Sequence, residues 1–70
     1  ASRMSVTKRV GANLRRVREA QGISQEDLAD RAGLHRTYVS GVERGVRNPT
    51  VKVLEKIAKA LKVKTSVLLE

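Results

Sequence analysis

The stretch that decides the fold spans residues 24–45 and reads SQEDLADRAGLHRTYVSGVERG. Ser24 predicts a helix start, because its hydroxyl can accept a hydrogen bond from a free first-turn amide. Gly33 and Gly45 predict two helix ends, because glycine readily adopts the left-handed conformation found after a helix. Ala29 and Gly33 are small enough for the two helices to cross closely. The stretch therefore predicts two short helices joined by a tight turn, the helix-turn-helix arrangement.

A longer helix is predicted ahead of this stretch. Its apolar residues recur on one helical stripe, at Val6, Val10, Leu14 and Val17. Such a stripe is typical of a helix that buries one face in a core, and Gly22 predicts its end.

Two more helices are predicted after it. Pro49 cannot continue the preceding helix, and Thr50 can cap a fourth helix whose apolar residues match the helical template over residues 54–61. Thr65 or Ser66 is expected to cap a last short apolar turn. No stretch alternates apolar and polar residues as a strand does. The prediction is an all-α domain of five helices.

Composition excludes several classes of protein. The 70 residues leave room for one small domain, and no apolar run reaches the roughly 20 residues of a membrane span. With no Cys and one His, the chain cannot form a disulfide, a thiolate metal site or a multi-imidazole zinc site. No catalytic constellation, cofactor motif or small-molecule effector site is evident. Fifteen Lys and Arg against seven Asp and Glu give a net charge of +8, which indicates a polyanionic partner.

The chain is divided into two parts. Residues 1–5 are interpreted as an N-terminal extension or a cloning remnant, with Met4 as the natural start. Residues 6–70 are interpreted as the helix-turn-helix domain.

The sequence resembles the phage repressor and Cro family, also called the Xre family, over residues 24–34 and 36–45 and the following Arg47-Asn48-Pro49. The resemblance extends over residues 6–69, and the sequence of residues 36–44 is most similar to that of restriction–modification controller proteins. It implies a compact lambda-repressor-like domain whose second helix-turn-helix element, the recognition helix, enters the major groove of double-stranded DNA.

The family pattern also implies roles for individual residues. The residues expected to reach base edges are Arg36, Thr37 and Ser40. The same pattern implies a phosphate contact for Gln25, and the chemistry and position of five further residues predict phosphate contacts at His35, Tyr38, Arg44, Arg47 and Asn48. An ordinary solvated side chain is the alternative for Gln25, Arg44, Arg47 and Asn48. Arg36 can form two hydrogen bonds with guanine, although a phosphate contact or a solvated side chain is the alternative. Tyr38 is equally compatible with a packing role.

Two positions depart from the family pattern. Gly41 stands where many members carry a long polar side chain that reads bases, so it offers only close backbone approach. His35 stands where a Ser or Thr cap is common, and protonation of its ring would strengthen a phosphate contact.

Arg18 and Glu43 are paired by the family pattern. The pair is expected to tie the recognition helix to the first helix and to aim Arg18 towards the DNA backbone.

The C-terminus is apolar, and the family pattern implies a homodimer through it. The candidate interface residues are Val63, Val67, Leu68 and Leu69. The alternative is that they only complete the core of the monomer. A dimer would read two half-sites about 10–10.5 base pairs apart, or a multiple of that spacing.

These observations predict a cytoplasmic, sequence-specific regulator of transcription that acts as a homodimer on a palindromic operator. An antitoxin of the same fold, with a toxin as its main partner, is the first alternative. The others are a fragment of a longer regulator, an enzyme and a basic helix at a membrane surface. The last two have little support, because no triad, metal site or inserting Trp or Phe is present.

Overall fold

Five α-helices and no strand make up the described part of the chain, residues 5–70 of a computed structural model. The helices are α1 (Val6–Ala20), α2 (Gln25–Ala32), α3 (Arg36–Glu43), α4 (Val51–Leu61) and α5 (Thr65–Leu68). The prediction of an all-α, five-helix domain is confirmed. None of these helices is long and apolar enough to cross a membrane.

The N-terminal extension lies outside the described residues except for Ser5. The Ser5 side chain caps α1 by accepting a hydrogen bond from the Lys8 amide at 3.2 Å. The folded part of the chain therefore includes Ser5.

Local capping explains most of the helix boundaries. The hydroxyl of Ser24 accepts from the Asp27 amide at 3.0 Å, and that of Thr50 accepts from the Val53 amide at 3.2 Å. Gly33 follows α2 in the left-handed conformation, with a φ of 69°. These boundaries agree with the predictions.

The expected cap of α5 was wrong. Lys64 occupies the N-cap position and makes no side-chain capping bond. Thr65 already lies inside the helix, so neither its hydroxyl nor that of Ser66 is placed to cap.

One core holds the helices together. Its buried apolar residues are Val10, Leu14, Val17, Ile23, Leu28, Ala29, Ala32, Val39, Val42, Leu54, Ile57, Ala58, Leu61 and Leu68. Val6 was predicted to belong to this set but is 58% exposed. It is the first residue of α1, where the helix extends past the core.

Gly11 lets α1 approach α3 closely. A Cβ added at Gly11 would overlap the backbone carbonyl oxygen of Val42 and come within 2.7 Å of that of Glu43. The close crossing that we expected at Gly33 is absent, because nothing lies within 4 Å of a Cβ added there. Gly33 is required for its left-handed backbone instead.

Long-range hydrogen bonds attach the C-terminal helices to α1. The side-chain amide of Asn13 donates to the backbone carbonyl oxygens of Leu68 at 3.0 Å and Glu70 at 3.1 Å. The side-chain amide of Gln21 donates to the backbone carbonyl oxygen of Leu61 at 2.7 Å. The end of the chain is thereby tied to the body of the domain.

Candidate nucleic-acid interface

The outward face of α3 is the candidate reading surface. Arg36 and Thr37 are exposed in its first turn, and Ser40, one turn after Arg36, is half-buried. Val39 and Val42 on the opposite side are fully buried. Because these two valines anchor α3 in the core, the polar residues are held on a rigid surface.

A buried ion pair positions α3 against the first two helices. The Arg18 guanidinium donates from Nε to Glu43 Oε2 at 2.6 Å and from Nη2 to Oε1 at 3.0 Å. Arg18 Nη1 donates to the Ile23 carbonyl oxygen at 2.8 Å. The side-chain amide of Gln25 donates to Glu43 Oε1 at 3.0 Å. The hydrogen bonds with Glu43 raise the pKa of Arg18 above its ordinary value, so the guanidinium remains charged.

This network turns Arg18 inward. Each of its three nitrogens donates to an acceptor inside the protein, and its side chain is 11% exposed. The structure therefore does not aim Arg18 at a DNA backbone, and we assign it a positioning role. Gln25, which the family pattern implies to brace the recognition helix as well as to contact phosphate, belongs to this network through its bond to Glu43.

The charge at the surface of this region is positive. Residues 35–50 contain three arginines and one carboxylate, Glu43. The Glu43 side chain is 3% exposed and neutralised by Arg18, whereas Arg36, Arg44 and Arg47 are exposed. Within residues 5–70, the recorded ion pairs include none of these three arginines.

Gly41 does not leave an open backbone on this surface. A Cβ added there would lie 2.6 Å from Arg47 Cγ and 3.6 Å from Val46 Cγ2. The amides of both loop residues donate to the Gly41 carbonyl oxygen, at 3.0 Å from Val46 and 3.2 Å from Arg47. The expectation of close DNA approach at Gly41 was therefore wrong, since the stem of Arg47 covers it.

The other candidate phosphate contacts surround α3. His35 is its exposed N-cap residue and makes no side-chain capping bond. Arg44 is the exposed C-cap residue, and Asn48 is exposed in the following loop. Tyr38 is half-buried and packs against the core, so it has the predicted packing role, whatever else its hydroxyl does.

The C-terminal candidates divide by exposure. Val63 and Val67 are half-buried against the core, and Leu69 is 44% exposed. Leu68 is fully buried in the monomer, so its assignment to a dimer interface was wrong. It points into the core and offers no surface to a partner.

The structure describes no constellation for metal binding. No group of three or more His, Cys, Asp or Glu side chains able to hold an ion occurs within residues 5–70.

A family model described as helix-turn-helix matches residues 14–68. The chain belongs to this helix-turn-helix family. It is 45% identical over 60 residues to y4dJ of Sinorhizobium fredii, an uncharacterised HTH-type transcriptional regulator, covering 86% of this chain and 78% of the relative. By family, the chain is therefore a helix-turn-helix transcriptional regulator.

Solved structures extend the likeness. The restriction–modification controller protein C.AhdI of Aeromonas hydrophila matches with a TM-score of 0.87 at 45% identity, over 89% of this chain and 94% of that one. C.Esp1396I, another controller protein, was solved as a tetramer with its natural 35-base-pair operator. It matches with a TM-score of 0.85 at 41% identity, over 94% of this chain and 87% of that one. The resemblance to Xre-type regulators and controller proteins is confirmed.

Two features of the site were missed from the sequence. Ile23 supplies a carbonyl to the Arg18 network, and the loop residues Val46 and Arg47 lie against α3. A glycine at an outward helical position, followed by a short loop, was the available signal. It was interpreted as space for DNA, although it equally permits the loop to fold back.

Proposed function

We propose that the chain recognises a specific sequence in double-stranded DNA, with α3 inserted in the major groove, and regulates transcription from it. The observation that carries this proposal is the charge arrangement around α3. Three exposed arginines surround its polar face, while the single carboxylate of the region is buried and paired. A cationic, acid-free surface on a rigid helix is suited to a groove between phosphate backbones.

Base reading is assigned to the exposed first turn of α3. Arg36 has no ion-pair partner within the described residues, so its guanidinium is available for two parallel hydrogen bonds to guanine O6 and N7. Thr37 and Ser40 offer hydroxyl groups on the same face. These three side chains are proposed to read the half-site.

Backbone contacts are assigned to the residues around this face. They are Gln25, His35, Tyr38, Arg44, Arg47 and Asn48. Gln25 keeps one amide hydrogen beyond the one given to Glu43, and it stands at the start of α2, where free first-turn amides favour a phosphate. The stem of Arg47 lies over Gly41, so its guanidinium is proposed to contact a phosphate beside the reading residues.

A homodimer is proposed as the DNA-binding unit. One recognition helix reads only a few base pairs, and two copies related by a two-fold axis read a palindrome. Leu69, with the half-buried Val63 and Val67, supplies the proposed contact. The tetramer of C.Esp1396I on its operator supports repeated use of this fold along DNA. Neither y4dJ nor the two controller proteins is named as an antitoxin.

Selection from a random pool of duplexes tests the proposal. At about 150 mM salt, where nonspecific phosphate binding is weakened, we expect enrichment of a palindrome with half-sites about one helical turn apart or a multiple of it. The matched control is Arg36→Ala, which is expected to lose enrichment at one or two positions of each half-site. No enrichment by the folded wild-type protein would contradict the proposal and indicate a different partner.

A further inference from the structure

Val46 lies in the loop that folds back on α3. Its amide and that of Arg47 both donate to the carbonyl oxygen of Gly41, at 3.0 and 3.2 Å. Because two consecutive amides share one acceptor on the helix, the backbone of this part of the loop is held in place.

The Val46 side chain borders the proposed reading surface. Its Cγ2 lies 3.6 Å from the position that a Cβ on Gly41 would occupy, and Gly41 is one turn after Thr37 on α3. The residue is nevertheless 65% exposed, so it contributes little to the core. This separation is ordinary van der Waals contact, so Val46 lies directly beside the outward surface of α3 at Gly41.

An isopropyl group in this place differs from its surroundings. The neighbouring exposed residues Arg44 and Arg47 are charged, and Asn48 is polar. In the major groove, the apolar group that a protein can contact is the C5-methyl of thymine. A β-branched side chain has few rotamers to lose on contact, which favours its use as a rigid apolar probe.

We propose that Val46 is a specificity-determining residue that contacts the C5-methyl group of one thymine in each half-site. This inference rests on the proposed function, because it takes the outward face of α3 to be in the major groove. It adds an apolar element from the loop to the polar reading residues of the helix.

The test replaces each thymine of the selected operator, one at a time, with deoxyuridine, which lacks only the methyl group. Affinities for the wild type and Val46→Ala are measured by fluorescence anisotropy at fixed salt. At one thymine of a half-site, we expect deoxyuridine to weaken wild-type binding about fourfold, the effect of losing one buried methyl-sized group. Val46→Ala is expected to bind the thymine and deoxyuridine duplexes equally.

Val6→Ala is the matched control, because Val6 is also an exposed valine but lies on α1. This variant should keep the full deoxyuridine penalty. The comparison between variants cancels any effect of deoxyuridine on the duplex itself.

Different results would contradict the role of Val46 and the proposed function. An operator whose deoxyuridine forms all bind like the thymine form would overturn the role of Val46 and leave the proposed function intact. The same conclusion follows if Val46→Ala retains the wild-type penalty at every thymine. Failure of the folded wild type to select any operator would overturn the proposed function, and this inference with it.

Discussion

Single arginines take two different roles in this domain. Arg18 is buried and bound to Glu43, so its charge serves to hold α3 in place. Arg36 on α3 and Arg44 at its C-cap are exposed and form no ion pair within residues 5–70. The first role is tested by the free energy of unfolding and the second by DNA binding.

Glu43→Gln is predicted to destabilise the domain severely. The substitution removes the charge that compensates buried Arg18, and loss of one partner of a buried pair costs about 3–5 kcal/mol. A domain of this size has a free energy of unfolding of similar magnitude. Urea denaturation followed by circular dichroism measures the effect.

Glu19→Gln is the matched control for Glu43→Gln. Glu19 pairs with Arg15 at 3.2 Å, but the two side chains are 55% and 64% exposed. We expect this loss to cost under about 1 kcal/mol. Equal effects of the two substitutions would show that the buried pair does not stabilise α3 as described.

Arg36→Ala is predicted to reduce discrimination between bases more than it reduces general affinity. Loss of a two-bond contact with guanine removes about 1–3 kcal/mol of discrimination at that base pair. The measurement compares dissociation constants for the operator, its single-base variants and nonspecific DNA. Arg44→Ala, which removes a proposed phosphate contact, should weaken all duplexes similarly. The same uniform loss from Arg36→Ala would reassign Arg36 to the DNA backbone.

At the scale of helices, the absence of a side chain has different structural consequences at two glycines. Gly11 allows the backbones of α1 and α3 to approach, whereas Gly41 accommodates the side chain of Arg47. Backbone atoms cannot move without shifting a helix, but the stem of an arginine can rotate.

Alanine is predicted to affect folding stability at Gly11 and operator binding at Gly41. Gly11→Ala should lower the free energy of unfolding by about 1–3 kcal/mol, since the new Cβ overlaps the Val42 carbonyl oxygen. Gly41→Ala should leave stability nearly unchanged, because the gain in helix propensity, about 1 kcal/mol, offsets the displacement of Arg47. It should, however, alter operator affinity by moving that side chain.

Thermal unfolding and operator binding measured on both variants check these expectations. Gly11→Ala with wild-type stability would contradict the close approach of α1 and α3. Gly41→Ala with unchanged operator binding would show that the position of Arg47 over Gly41 has no part in recognition.

For the whole molecule, the C-terminus has one role in the core and one proposed role in dimerisation, and different residues test the two. Leu68 completes the core, and Asn13 binds the carbonyl oxygens of Leu68 and Glu70. Leu69, next to it, is 44% exposed and available to a second copy. Truncation of the C-terminus would therefore damage the fold as well as any interface.

Leu69→Lys is predicted to weaken dimerisation while the domain stays folded. The substitution places a charge in the proposed apolar contact, and sedimentation equilibrium measures the dissociation constant. Leu68→Ala is the contrasting variant, expected to cost about 2–5 kcal/mol of folding stability through loss of core packing. Unchanged self-association of folded Leu69→Lys would place the interface elsewhere.

The sequence alone was sufficient for the features that depend on near neighbours. The capping residues Ser24 and Thr50 bind amides three residues away, and the glycines after α1 and α2 adopt their conformation locally. Such interactions are encoded within a few residues, so composition and spacing predict them. The family pattern further indicated that Arg18 and Glu43 are partners, which periodicity does not encode.

Only the tertiary structure decided which of the apolar residues at the C-terminus face the core. Leu68 and Leu69 are adjacent and chemically identical, and their different burial follows from where α5 meets α1, through contacts 55 residues apart in the chain. The position of the loop over Gly41 was also decided by the tertiary structure. Its position depends on backbone hydrogen bonds and on the packing of a folded surface, which exist only after the helices have assembled.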